Sequence, residues 1–432
     1  MKSDQRNTST LVLDEPEDAR FVGTPSSTTL PQQPAQGLPL GNIVANTAGF
    51  ALAFAAWVVF GPSVRFIAKE FHLSVQIATL IKTLPILSGA VMRIPLGVLS
   101  DRLGARLIFP ALLITCGTGT YCASYANSGA QLIWLSLAIG VAGSTFIVGV
   151  QSVSSWTPKE QRGFALGLFG SGNVGTALTT FGLPLLLGAF GWRGSFRTYA
   201  VVLGMAAVVY FLVIRNVPQS GRAPSLAGSL APLKTIRTWR FGLYYMATFG
   251  VFVATTLTVA DIYIDGYHVS TKAAGLLATT FTFSASLIRM VGGKLSDKFG
   301  ARLVTRVSLL TITLALLPVA FSVPLYVTVI LVFVGGLAMG IGSAGVYRYI
   351  PDYYPQSVGA VGGVVGALGA LGGFLLPQLA AAVKSATGST YFQILPLVAV
   401  AIVAAIVQFV TVKNLAKLRK DTLEWDASTP VR

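Results

Sequence analysis

Gly97-Val98-Leu99-Ser100-Asp101-Arg102-Leu103-Gly104-Ala105-Arg106 returns 196 residues later as Gly293-Lys294-Leu295-Ser296-Asp297-Lys298-Phe299-Gly300-Ala301-Arg302. The same offset carries Phe71-His72-Leu73-Ser74 onto Tyr267-His268-Val269-Ser270, and Arg93 onto Arg289. A constant offset across a 36-residue window means two copies of one structural unit.

Each decapeptide sits between apolar runs. Crossing a hydrocarbon core of about 30 Å takes roughly 20 helical residues. Twelve runs of that kind occur, near 43–60, 75–98, 106–126, 130–154, 163–187, 197–216, 241–264, 273–293, 303–321, 325–347, 358–383 and 389–412. The 432 residues are 53% hydrophobic and only 11% charged, whereas soluble domains carry about 25% charged residues. The expectation is an all-α membrane protein of twelve transmembrane helices in two six-helix, pseudo-symmetric halves. Parallel repeats of this kind place a site between the halves. The divisions read from the sequence are a polar tail 1–40, a first half 41–216, a linker 217–240 with Pro218, Pro224 and Pro232, a second half 241–412 and a tail 413–432.

The first 40 residues, rich in Pro, Ser, Thr and Gln, read as a disordered tail rather than a removable signal peptide. Cys116 and Cys122 share the third run and have no ligand-like neighbours, so they read as packed thiols rather than a disulfide or metal framework. The net charge of +16 would suggest nucleic acid in a soluble protein. Here the cations are scattered over short loops instead of one folded face, which excludes that reading. With the N-terminus in the cytoplasm, 22 of the 31 Lys and Arg residues fall on the cytoplasmic side, 6 outside and 3 within runs. The positive-inside rule then puts both termini in the cytoplasm, in the cytoplasmic membrane.

Arg93 and Arg289 each precede the repeated aspartate by eight residues, about 12 Å along a helix, and so lie near the bilayer midplane. Neither has an acid one helical turn away, and a buried arginine costs about 2.5–3.5 kcal/mol on insertion scales. One such residue could snorkel to the headgroups; two at symmetry-related depth read as a functional pair. A planar, forked, permanently charged guanidinium suits a planar oxyanion, so a pair lacking a protein carboxylate calls for an anionic substrate.

Gly170, Gly172 and Gly175 in the fifth run match G-x-G-x-x-G, but the dinucleotide motif needs a strand before it and a βαβ unit around it. The eleventh run answers with Gly366, Gly369, Gly372 and Gly373. Such spacing strips one helix face of bulk so that backbones approach and slide. It does not explain Asn173, whose amide is costly against lipid and suited to donate to a small anion.

The repeated loop Gly-x-Leu-Ser-Asp-(Arg/Lys)-x-Gly-Ala-Arg resembles the signature of the major facilitator superfamily. The paired arginines and glycine-rich stretches resemble its nitrate/nitrite porter family, and the short linker is most similar to the bacterial nitrate porters. The resemblance covers residues 41 to 412. It implies a monomeric secondary transporter for nitrate and/or nitrite, without cofactor or metal and not an enzyme. Arg93 and Arg289 would clamp the anion, Asn173 would hydrogen-bond it, and Phe54, Phe146, Tyr245 and Phe249 would surround it. Packing against core or lipid is the alternative for each aromatic, although Tyr245 and Phe249 stand i, i+4 on one face.

Two residues depart from the family pattern. Lys82, three turns outward of Arg93 on the same face, either draws anions inward or snorkels; Arg348 is either a second anion contact or an ordinary cytoplasmic charge. Asp101, Arg102 and Arg106, with Asp297, Lys298 and Arg302, read as loop ion pairs that favour one closure state. Gly104 and Gly300 suit the tight turn. Coupling stays open between proton symport and anion exchange: no carboxylate falls within the membrane interior, and His72 and His268 sit in outer loops. A carrier for another small anion, such as a carboxylate, or a non-transporting anion receptor would keep the arginine pair.

Overall fold

A computed structural model describes residues 40–215 and 231–428. The polar tail 1–39 and most of the linker, 216–230, lie outside the described residues. Within lipid a backbone must satisfy its hydrogen bonds internally, and the apolar runs do so as helices.

In chain order these are α1 Leu40–Glu70, α2 Val75–Leu103, α3 Ala105–Ala123, α4 Gly129–Trp156, α5 159–190, α6 192–213, α7 Ile236–Gly266, α8 271–299, α9 Ala301–Phe321, α10 Leu325–Tyr353, α11 Val358–Thr387 and α12 Leu395–Ser428. Ten stretches are long and apolar enough to cross a membrane by length and composition, against the twelve read from the sequence. The difference has two sources. Lys159–Val213 is one continuous stretch, folded into α5 and α6 at Gly191, whose φ of 63° breaks the helix. The other is α3, where glycines and threonines dilute the apolar character. Two boundaries also move: α7 begins at Ile236, inside the expected linker, and α12 continues past residue 412 to Ser428. Among the described residues, those up to Val407 form one compact unit, and the end of α12, from Gln408, is not part of it.

Both repeated motifs are turns. Ser74 and Ser270 cap α2 and α8, their hydroxyls accepting from the amides of Ile77 and Ala273. Just before each cap, His72 and His268 take left-handed φ values of 50° and 56°, and the next amide returns to the preceding helix (Leu73 to Ala68, Val269 to Tyr263, both 3.0 Å). The two histidines are exposed turn residues. At the opposite membrane face Gly104 and Gly300, with φ of 76° and 81°, join α2 to α3 and α8 to α9.

The halves interlock crosswise. α2 of the first half packs on the glycine-rich α11 of the second, and α8 of the second packs on the glycine-rich α5 of the first. At Gly97 against Gly359, and at Gly293 against Gly163, a Cβ would collide with the opposing carbonyl oxygen.

Left-handed backbone is tolerated by glycine alone without cost. Gly104→Ala and Gly300→Ala should each destabilise the protein by about 1–2 kcal/mol, read as a lowered Tm in detergent. Gly204→Ala, mid-helix with open space around its Cα, should hold or raise Tm.

Candidate anion-binding site

Arg93 and Arg289 meet at the centre of the crosswise packing and are 0% and 3% exposed. Two aromatic rings are shared between them. The Arg93 guanidinium carbon lies 5.8 Å from the centroids of both Phe146 and Phe249, and that of Arg289 lies 5.7 and 5.8 Å from the same two rings. At such distances ring faces offer each cation about 0.5–2 kcal/mol, which offsets part of the burial cost without neutralising the charge. Among the described residues no carboxylate pairs with either arginine.

Arg93 is anchored on two sides: Nε donates to the Gly143 carbonyl at 3.0 Å and Nη1 to that of Gly366 at 2.5 Å. Its Nη2 has no partner among the described residues. Arg289 donates through Nη2 to the Tyr245 hydroxyl at 3.4 Å, and its Nε has none. Asn173, 2% exposed, has neither its amide nitrogen nor its oxygen satisfied. An unmade hydrogen bond at a buried polar group costs about 1–3 kcal/mol. Arg93 and Arg289 stand against the same two rings, so their free N–H groups are donors available to one bound group.

Local helix irregularity presents this set. Short 3-10 turns at Val141–Ser144 and Ser171–Asn173 interrupt α4 and α5, exposing the Gly143 carbonyl and Asn173. A π segment, Met246–Gly250, interrupts α7 just after Tyr245. There Tyr245 and Phe249 stack at 5.0 Å with a 12° interplanar angle. Such irregularities occur in membrane helices where they face a cavity or protein.

The signature glycines make room for the charged groups. A Cβ on Gly170 would lie 2.6 Å from Arg289 Nε, and one on Gly366 would lie 2.6 Å from the Tyr347 hydroxyl and 3.2 Å from Arg93 Cδ. Gly369 faces Tyr245, Gly372 and Gly373 face Met246 and Val253 of α7, and Gly172 and Gly175 face Phe50 and Ala51 of α1. Tyr347 was not singled out from sequence. It is buried edge-on against Tyr245 (4.6 Å) and Phe146 (4.8 Å) and donates to the Gly362 carbonyl at 3.0 Å, bracing the α11 segment that holds Arg93. The repeat gives no signal for it, since the 196-residue offset carries Phe146 onto Gly342 and relates Tyr347 to Gln151. Phe54 stands further out, edge-on to Phe50 (4.2 Å), which in turn meets Phe146 (5.3 Å).

On the decapeptide side the halves are latched. Asp101 accepts from the Gly359 and Ala360 amides at 2.8 and 2.9 Å, capping the start of α11. Asp297 accepts from Gly163 and Phe164 at 2.8 and 2.7 Å, at the start of α5. Each aspartate thus caps a helix of the opposite half, where amides and helix dipole favour a carboxylate. Arg348 is not at the anion set: its Nε pairs with Asp297 at 2.9 Å, its Nη1 pairs with Asp352, and Nη2 donates to the Lys159 carbonyl at 2.7 Å. The other loop cations serve nearby surfaces. Arg106 donates to the Phe211 carbonyl, Arg302 donates to the Tyr353 hydroxyl, Lys298 lies over Phe299, and Arg102 also makes a polar or electrostatic contact. Lys82 is exposed on the far side, within electrostatic reach of Asp261 on α7.

The Major Facilitator Superfamily model matches residues 47–377 and 241–431. A Thermus thermophilus protein named "probable nitrate/nitrite antiporter NarK1" is 38% identical over 82% of this chain and 88% of its own length. The chain belongs to the nitrate/nitrite porter family of the major facilitator superfamily. The "nitrite extrusion protein" of Bacillus subtilis is 30% identical over 78% of this chain and 85% of that one. Among solved structures, the human organic anion transporter MFSD10 has the same fold, with a TM-score of 0.72 at 16% identity over 86% of this chain and 100% of that one. Major facilitator proteins are multi-pass membrane transporters, so this porter is not an enzyme.

Charged hydrogen bonds of the latch type are worth about 1.5–3 kcal/mol each. In a porter variant carrying one cysteine at the buried Ser100 and none elsewhere, Asp101→Asn combined with Asp297→Asn should speed labelling by a water-soluble maleimide at least about tenfold. An unchanged labelling rate would mean that the caps do not hold this side shut.

Proposed function

We propose that this porter carries nitrate and nitrite across the cytoplasmic membrane by exchanging one for the other, as a monomer with both termini in the cytoplasm. The observation that carries the reading is the pair of buried N–H groups, Arg93 Nη2 and Arg289 Nε, that have no partner among the described residues and belong to two cations sharing two rings; the equally unpartnered Asn173 amide lies three residues after Gly170, which faces Arg289. A small planar monoanion brings several acceptor lone pairs in one plane, fits between aromatic faces and lowers the local charge from +2 to +1. The names of the relatives, nitrate/nitrite antiporter and nitrite extrusion protein, supply the two substrates.

Exchange follows from the electrostatics. Without an anion the two guanidiniums repel, and rocking the halves past one another would bring two uncompensated charges through a desolvated state. A bound anion removes that penalty, so reorientation is fast only when the carrier is loaded. Proton-coupled import would need a titrating group near the anion. Among the described residues no carboxylate or histidine contacts either arginine, and His72 and His268 occupy exposed turns.

Proteoliposomes loaded with nitrate, nitrite or neither test the reading. Uptake of external nitrate should require an internal anion and ignore a proton gradient. Uptake into anion-free vesicles driven by external acid would replace exchange with symport, and no movement of either anion would remove the substrate assignment. Asn173→Ala should leave Tm without nitrate equal or higher, because it deletes an unsatisfied buried amide, yet weaken nitrate-dependent stabilisation by about tenfold in concentration.

A further inference from the structure

An apolar concavity of about 380 Å³ opens on the flank of the bundle between α8, α9 and α10. Leu295 and Phe299 of α8, Leu303 and Val307 of α9, and Val334 and Ile341 of α10 line it. It runs from the Gly300 turn at least as far as Thr311, eight residues or about 12 Å beyond Leu303, so it reaches toward the bilayer midplane. With so little polar lining it cannot hold ordered water, which needs two to four polar partners.

The end of this groove at the turn is basic. Lys294 and Lys298 are exposed one helical turn apart beside Leu295 and Phe299, and Lys298 Nζ lies 5.1 Å from the Phe299 ring that lines the groove. Arg302 adjoins Leu303, with one Nη donated to the Tyr353 hydroxyl. Asp297 is the acid of this segment, and its carboxylate is engaged by two amides and Arg348, so it does not offset the lysines. By the charge distribution this is the cytoplasmic face, where the leaflet is anionic.

We infer that this groove binds one anionic phospholipid, with an acyl chain along Leu295–Ile341 and its phosphate beside Lys294 and Lys298. A tail slot ending in cations matches a diacyl lipid with a negative headgroup, whereas a zwitterionic lipid brings its own cation to the same spot. The lipid would bridge α8, which carries Arg289 and Asp297, to α9 and α10. The inference is independent of which anion the porter carries.

The test is native mass spectrometry of the full chain in detergent with dioleoyl-phosphatidylglycerol or dioleoyl-phosphatidylcholine as probes. One phosphatidylglycerol per chain should be retained where phosphatidylcholine is lost. Lys294→Gln with Lys298→Gln should weaken retention about fivefold per lysine, the effect of one basic residue at an anionic surface. Val307→Trp, or Val334→Phe should the first not yield monodisperse protein, should abolish retention by filling the groove, with the lipid-free Tm unchanged. Equal retention of the two lipids, or retention unaffected by the lysine changes and the filling substitution, would reduce the groove to bulk lipid contact and overturn the inference.

Discussion

Two permanent charges buried in one aromatic enclosure, without a counter-charge among the described residues, set the terms for everything else in this molecule. An arginine in hydrocarbon is tolerated only when its donors are aimed at something, and here each guanidinium has one side fixed and one side unpartnered. The fixed side explains why backbone carbonyls of Gly143 and Gly366 face inward. It also explains why glycine stands at 170 and 366, where a methyl group would press on a guanidinium or on the tyrosine beside it. Phe146 and Phe249 flank both cations, and among the described residues no carboxylate pairs with either. They soften the charge through their ring faces and leave an external anion as the group able to neutralise it.

The same constraint reaches the membrane face through two matching ladders. On α2, Arg93, Gly97 and Asp101 stand at i, i+4 and i+8, and against them α11 sets Gly363 and Gly366, Gly359, and the amides of its first turn. On α8, Arg289, Gly293 and Asp297 repeat the spacing against Gly167 and Gly170, Gly163, and the first turn of α5. Site and latch therefore lie on one face of one helix pair, about 12 Å apart, with backbone against backbone between them. A change in repulsion between the guanidiniums acts on the same contact that the aspartates close, with no flexible segment to absorb it. On the proposed reading, substrate charge and closure of that face act through one helix pair, as alternating access requires.

Much of this was legible in the sequence because it is periodic. The 196-residue offset paired the arginines, the aspartates and the histidine turns before any coordinates, and apolar run lengths gave twelve helices in two related halves. What stayed hidden depends on contacts across the repeat. Asp101 and Asp297 lie among arginines and lysines in the chain, so ion pairs were the natural expectation; the amides they cap are more than 130 residues away. Arg348 was read from its place near a helix end, but its partner Asp297 is 51 residues distant. Tyr347 looks like any aromatic in an apolar helix until Gly362 and Tyr245 are brought beside it. The break at Gly191, by contrast, was legible, since it falls in the gap between the runs 163–187 and 197–216.

The central claim is that Arg93 and Arg289 bind the anion together as forked donors and not merely as positive charge. Calorimetric titration of purified protein with nitrate, in the parent and in Arg93→Lys and Arg289→Lys, tests it most directly, since lysine keeps the charge and loses the fork. The account predicts that each single substitution weakens nitrate binding by about 10- to 100-fold, the worth of one charged hydrogen bond. Nitrate affinity within about twofold of the parent in either variant, a change under 0.5 kcal/mol, would contradict it.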